Sequence, residues 1–160
     1  MKIYFAGPDI FWPDYSEKIL FIKNLCRLNN LDCLYPELEN NISAQEIVEK
    51  DLSLIRKADL VVANLNPFRG QEPDSGTVFE CGYAYAKGLT VIGYLKDRRD
   101  MLTKLRQWPL GPTNNSLLCQ DGSLVEDFGK PLNLMLSETL SGLYSNLQEA
   151  VEAAAKIAKS

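Results

Sequence analysis

The sequence predicts an α/β fold, a parallel sheet with helices on both faces. Three observations carry this. Short apolar runs of β type alternate with amphipathic segments along the chain. One run, Leu60-Val61-Val62-Ala63, is apolar without a break, as a strand covered on both faces must be. The 160 residues, 46% hydrophobic, suffice for one core without staples, since a chain of this size hides about 70% of its unfolded surface.

The elements follow in order. Ile3-Tyr4-Phe5-Ala6 is a β run ended by Gly7-Pro8. Asp14 and Glu17 have capping-box spacing for a helix reaching about Asn29, with Ile19, Ile22, Leu25 and Cys26 inward. Asp32 to Tyr35 reads as a second strand, stopped by Pro36. Ser43 and Glu46 cap a helix running through about Lys57. Leu60 to Ala63 is the third strand, and the loop Asn66 to Ser75 leads to a helix that ends near Lys87, with Gly88 as its stop. Leu89 to Leu95 is the fourth strand. Lys96 to Phe128 reads as long loops around short pieces, Pro131 as a possible helix start, and Ser145 with Gln148 as the cap of a last helix burying Leu147, Val151, Ala154 and Ala158. The expected architecture is one domain over residues 1–160, a three-layer sandwich of the flavodoxin or Rossmann kind.

Composition narrows the chemistry. There are no histidines. That excludes a Ser-His-Asp or Cys-His relay, a His-ligated metal and a His general base. With 17 basic and 21 acidic residues the formal charge is −4, so the surface offers no general attraction to nucleic acid or to an anionic membrane. Cys26, Cys33, Cys81 and Cys119 form no C-x-x-C, and buried, inert thiols are expected. The start MKIYFAGPDIFWPD is too short and too broken in its apolar part for a signal peptide, and no stretch approaches the ~20 apolar residues of a membrane span. A cytoplasmic protein with reduced thiols is expected, binding neither metal nor cofactor.

In parallel sheets ligands bind beyond the carboxyl ends of strands. Attention therefore goes to Gly7-Pro8, to the loop after Ala63 and to the loop after Leu95. Asp51 stands out on the second helix, on the same stripe as Ile47, Val48, Leu52 and Ile55. It is either an edge residue paired with a lysine or a carboxylate turned into a site. The stretch from Pro67 to Glu80 puts a Gly-rich, charged loop between a buried strand and a helix. Asp74 can cap that helix, and Glu80 follows within two turns. Gly76, Gly82, Ala84 and Ala86 allow backbone or ligand to come close. Asp74 can be only a cap and Glu80 only solvated, but at a strand's carboxyl end the two can converge on one pocket. Two carboxylates without histidine suit glycosyl transfer, in which one attacks an anomeric carbon. The helix start is expected to help keep Glu80 ionised. A phosphate cradle at Ser75-Gly76-Thr77 is the competitor, opposed by Glu72 and Asp74; no G-x-x-x-x-G-K-[ST] and no G-x-G-x-x-G is present.

The runs Tyr4-Phe5-Ala6-Gly7-Pro8, Ala58 to Ala63, the block from Pro67-Phe68-Arg69-Gly70 through Glu72-Pro73-Asp74-Ser75-Gly76-Thr77 to Phe79-Glu80, Gly82-Tyr83-Ala84 and Pro131 to Leu136 together resemble the nucleoside 2-deoxyribosyltransferase family. The resemblance runs in order from Tyr4 to Met135. It implies a two-step exchange of bases on 2′-deoxyribose, with 2′-deoxynucleosides and free purine or pyrimidine bases as partners. It implies Glu80 as nucleophile, Asp74 as the residue of proton transfer and base handling, and Tyr4 as the group orienting the nucleophile. It implies Asp51 and, more loosely, Phe11 in contact with substrate, beside Gly7 and Gly76. Asn133 and Met135 match residues reaching a neighbouring subunit's pocket, so a homo-oligomer of at least two chains with shared sites is implied. Asn64 departs from the acidic residue that many relatives carry there. Some relatives end in a tyrosine whose terminal carboxylate binds substrate; this chain ends Lys156-Ile157-Ala158-Lys159-Ser160, and that contact is not carried over.

Two other readings stand beside transfer. One is hydrolysis of the same bond in a deoxynucleoside or deoxynucleotide, though the acidic and aromatic run Pro8 to Asp14 favours an uncharged nucleoside. The other is a nucleotide-binding sensor without turnover, which needs no Glu80–Asp74 pair.

Overall fold

The β run predicted at the start becomes strand β1 (Lys2–Ala6), and four of its five residues are buried. Beside it lie β2 (Asp32–Leu34) and β3 (Leu60–Asn64), then β4 (Thr90–Tyr94) and β5 (Gly142–Tyr144). The order is β2-β1-β3-β4-β5, and every neighbouring pair is parallel. The structure, a computed structural model, describes residues 1–114 and 116–159. The C-terminal Ser160 lies outside the described residues.

Strand alternation sorts the side chains. Ile3 and Phe5 with Leu60, Val62 and Ile92 meet helices α1 (Tyr15–Leu28) and α6 (Leu147–Ile157) in one core. Tyr4, Val61 and Val91 point the other way, to the face that carries α2 (Ala44–Lys57) and α3 (Ser75–Ala86). Leu60 to Ala63 is buried on both faces, as its unbroken apolar run requires. The chain forms two compact units, Met1–Lys96 with Leu140–Ser160, and Asp97–Thr139. The second holds α4 (Met101–Leu105) and α5 (Leu134–Thr139) and has its own small core of Met101, Leu102, Cys119 and Val125.

Capping chemistry sets most helix ends. Ser43 and Glu46 form the expected reciprocal box at α2. The Asp74 carboxylate accepts from the Thr77 N–H at 2.9 Å and so starts α3. Gly88, at φ 76, closes α3 in the left-handed region where a side chain would be strained. Two caps differ from expectation. Asp14 makes no side-chain cap bond, because its backbone is already near-helical (φ −87, ψ 15); its carboxylate pairs with Lys18 instead. At α6 the cap is Asn146, one residue later than expected, with Glu149 in the return position. The cause is β5, which occupies Gly142–Tyr144 and leaves Ser145 as a link. Ala158 is correspondingly past α6 and exposed. Helix α5 starts at Leu134 and not at Pro131, with Asn133 Oδ1 accepting from the Met135 N–H at 3.0 Å.

Three of the four thiols are buried, and Cys33 is only half-buried. Among the described residues no helix is long and apolar enough to cross a membrane.

Candidate active site

The order of the strands reverses between β1 and β3, so their carboxyl ends splay apart there. A cavity of about 400 Å³ opens beside that point. Five carboxylates line it, from Glu37, Glu39, Asp51, Asp74 and Glu80, and none of its lining residues is a lysine or arginine. Glu39 is itself paired with Lys50.

Tyr4 sits mid-strand in β1 with its residue wholly buried, and its hydroxyl donates to Glu80 Oε1 at 2.5 Å. Burial pushes the Glu80 carboxyl up to about 7; the Tyr4 hydrogen bond opposes that rise, while Asp51 and Asp74 add to it by repulsion. Desolvation outweighs the help expected from the helix start. Glu80 lies beyond the first turn of α3, where the helix field has faded, and desolvation dominates. The Tyr4 hydroxyl is pushed far up by burial first and Glu80 second, so it stays a donor. Burial also raises Asp51. The neighbouring Cys81 thiol is pushed up to about 12 by burial and by Glu80, which leaves it inert.

Asp74 uses Oδ2 for both of its bonds, to the Thr77 N–H at 2.9 Å and to the Thr77 hydroxyl at 3.0 Å. Neither engages Oδ1. Gly76 lies in the same turn, where an added Cβ would come within 3.0 Å of Asp74 Oδ2. Phe11, also in the lining and 57% exposed, stacks on Phe68 with ring centroids 5.5 Å apart, and the Arg69 guanidinium lies over both rings.

Of the residues singled out from sequence, Gly7, Phe11, Asp51, Asp74, Gly76 and Glu80 line this one cavity, and Tyr4 meets it through Glu80. Asn133 and Met135 belong to the second unit, where Met135 is 70% exposed. The expected buried stripe of α2 is different in kind. Only Ile55 is buried; Ile47 and Val48 are 45% and 49% exposed and form part of the cavity wall. Periodicity finds the face but not what the face covers. Leu38 and Ile42, in the irregular segment before α2, also line the cavity and carry no periodic signal that could have shown it. Asn64 faces Asp9, its Nδ2 donating to Asp9 Oδ2 at 2.9 Å.

Comparison with known proteins gives this geometry a lineage. The family described as nucleoside 2-deoxyribosyltransferase matches residues 3–135. The solved structure of a 2-deoxyribosyltransferase from Leishmania mexicana is similar over 97% of both chains, at 34% identity and a TM-score of 0.80. A 2-deoxyribosyltransferase from the bacterium Bacillus psychrosaccharolyticus shares the fold, with a TM-score of 0.60 and 19% identity over 95% of this chain and 90% of that one. An uncharacterized protein of Schizosaccharomyces pombe is 27% identical over 119 residues, 66% of this chain; the match spans 55% of that curated relative's length. With its family match running from β1 to the start of α5 and its fold shared with these solved enzymes, the chain belongs to the nucleoside 2-deoxyribosyltransferase family.

Proposed function

We propose that this chain exchanges the base of a 2′-deoxynucleoside through a covalent deoxyribosyl ester on Glu80. The observation that carries the reading is the 2.5 Å bond from the buried Tyr4 hydroxyl to Glu80, which holds one carboxylate oxygen and leaves the other for the sugar. Glu80 attacks C1′ of the sugar. The bond from C1′ to the base nitrogen breaks, its electron pair leaves with the base, and the base takes up a proton. Asp74 handles that proton through Oδ1, the oxygen its helix cap does not use. An incoming base reverses the steps, returning the carboxylate. Phe11 and the apolar wall of α2 receive the flat base, and Asp51 meets the sugar side. Five carboxylates without a lysine or arginine in the lining favour an uncharged nucleoside over a phosphorylated one. The protein works as a homo-oligomer in which Asn133 and Met135 complete a neighbour's site.

The test is incubation with thymidine plus adenine, and with thymidine alone. Deoxyadenosine in the first tube and little free deoxyribose in the second is the expected result. Free sugar as the main product in both would replace transfer with hydrolysis. Glu80→Ala should lose more than about a thousandfold in exchange rate while keeping its circular dichroism, as removal of a covalent nucleophile does. A 2′-fluoro-2′-deoxynucleoside should leave its sugar on the Glu80 peptide, and an adduct on another carboxylate would move the nucleophile.

A further inference from the structure

The turn that carries Phe11 is short, and something must hold it over the cavity. It is a 3-10 turn, Pro8–Phe11, that leaves the carboxyl end of β1 through Gly7. Its Ile10 and Phe11 line the cavity. Asp9 points the other way and is bracketed: Lys18 of α1 lies 3.3 Å from Oδ1, and Asn64 Nδ2 donates to Oδ2 at 2.9 Å. Asn64 stands at the carboxyl end of β3, 55 positions along the chain.

The Asn64 amide has no freedom to turn. Its Oδ1 accepts from the Asn66 N–H at 3.2 Å and from Asn66 Nδ2 at 2.8 Å. Asn66 Oδ1 in turn accepts from the Lys96 N–H at 2.9 Å, just past β4. With both donors on Oδ1, Nδ2 is the only group Asn64 can offer Asp9. The ends of β1, β3 and β4 are thereby joined through side-chain amides. Gly7 fits this contact closely: a Cβ there would lie 2.8 Å from Asn64 Cβ and 2.8 Å from Asp9 Oδ2, while its backbone is extended and needs no glycine. The missing side chain serves the approach of Asn64 to Asp9.

We infer that Asn64 is a positioning residue: it holds Asp9, and through it the Pro8–Phe11 turn that forms one wall of the substrate cavity. An aspartate at this position would set two carboxylates against each other and push the turn away. The neutral amide at position 64 and the acid at position 9 are therefore a matched pair. The inference rests on the reading of this cavity as the nucleoside site, but the Asn64–Asp9 contact itself does not depend on that reading.

The experiment compares the parent with Asn64→Asp, Asn64→Ala and the exchanged pair Asp9→Asn/Asn64→Asp. In the exchanged pair the amide and the carboxylate trade places, and the hydrogen bond re-forms with its donor on residue 9. Asn64→Asp should raise KM for the nucleoside about tenfold with kcat within about threefold, because the wall moves while Tyr4 and Glu80 stay. Asn64→Ala should shift KM in the same direction by less. The exchanged pair should recover most of the loss. Hydrogen exchange gives a readout free of turnover: the Trp12 amide, which donates to Asp9 O at 3.1 Å, should exchange about tenfold faster in Asn64→Asp and return towards the parent rate in the exchanged pair. A parent without exchange activity would sink the functional reading and leave the Trp12 measurement to decide this one. Parent-like KM and Trp12 exchange in Asn64→Asp, or an exchanged pair no better than Asn64→Asp, would overturn the inference. So would a fall in kcat at constant KM, which would put Asn64 on the reacting atoms.

Discussion

At the scale of single residues, burial and the Tyr4 hydroxyl act on the Glu80 carboxyl in opposite directions. Burial favours the neutral acid, and the Tyr4 hydroxyl favours the carboxylate. In the proposed mechanism the nucleophile is the ionised form, so kcat/KM should rise with pH and level off above about 7. Tyr4→Phe removes the bond that lowers the Glu80 pKa, so its rising limb should move to higher pH; a pH profile with the limb unmoved would show that the hydroxyl does not tune Glu80. The same balance acts on stability. Folded Glu80 holds its proton up to about 7, against 4.5 for an ordinary glutamate, so its contribution to stability is greatest below 4.5 and falls as pH rises through 7. Glu80→Gln carries no such charge. It should be more stable than the parent at pH 8 by about 1–2 kcal/mol and no more stable at pH 4, measured by denaturant unfolding. A gain equal at both pH values would point to packing instead of ionisation. Here the proposed nucleophile works against the fold that holds it.

At the scale of elements, α2 is one helix with two tasks. Its C-terminal half packs, with Ile55 fully buried; its N-terminal half overhangs the cavity with Ile47 and Val48 half exposed. Substitutions should divide accordingly. Ile55→Ala should cost about 2–5 kcal/mol of stability, as a buried large-to-small change does. Ile47→Ser and Val48→Ser should change stability by less than about 1 kcal/mol and raise KM for the nucleoside instead. Thermal unfolding and steady-state kinetics on the three variants separate wall from core, and a Val48→Ser protein as unstable as Ile55→Ala would return the stripe to the core. The helix stays in register because Ser43 and Glu46 cap it reciprocally, which also keeps Asp51 at the cavity.

At the scale of the whole molecule, the proposal is that one chain completes the site of another. The run Pro131 to Leu136 is apolar, yet Leu132 and Leu136 are already buried, which leaves Met135 as its exposed apolar side chain. In the proposed oligomer Met135 and Asn133 serve a neighbouring chain. Glu80→Ala and Asn133→Ala should each be nearly inactive. Mixed in equal amounts and allowed to exchange subunits, they should regain about a quarter of parent activity, because about one site in four then pairs an intact Glu80 with a neighbour's intact Asn133. A mixture that stays dead while subunit exchange is seen by native mass spectrometry would assign Asn133 to its own chain.

What the sequence determined by itself is what local spacing encodes. The parallel-sheet class, the inward faces of α1 and the Ser43 and Asp74 caps were legible because hydrogen bonding and burial repeat along the chain with fixed periods. The Glu80–Asp74 pair was legible because strand ends gather ligands and because the block from Pro67 to Glu80 resembles a known family. Three-residue β5 was not, since Gly142-Leu143-Tyr144 becomes a strand only by pairing with β4. Nor was the destination of the α2 stripe, since a periodic apolar face is the same whether it covers a core or a cavity. Tyr4 and Glu80 meet across 76 positions, and Asp9 and Asn64 across 55. Those meetings depend on which strand lies beside which, and the strand order follows from how all the helices and strands bury their surfaces together. Only the tertiary structure decides that, because no local pattern records which distant segment a side chain will face.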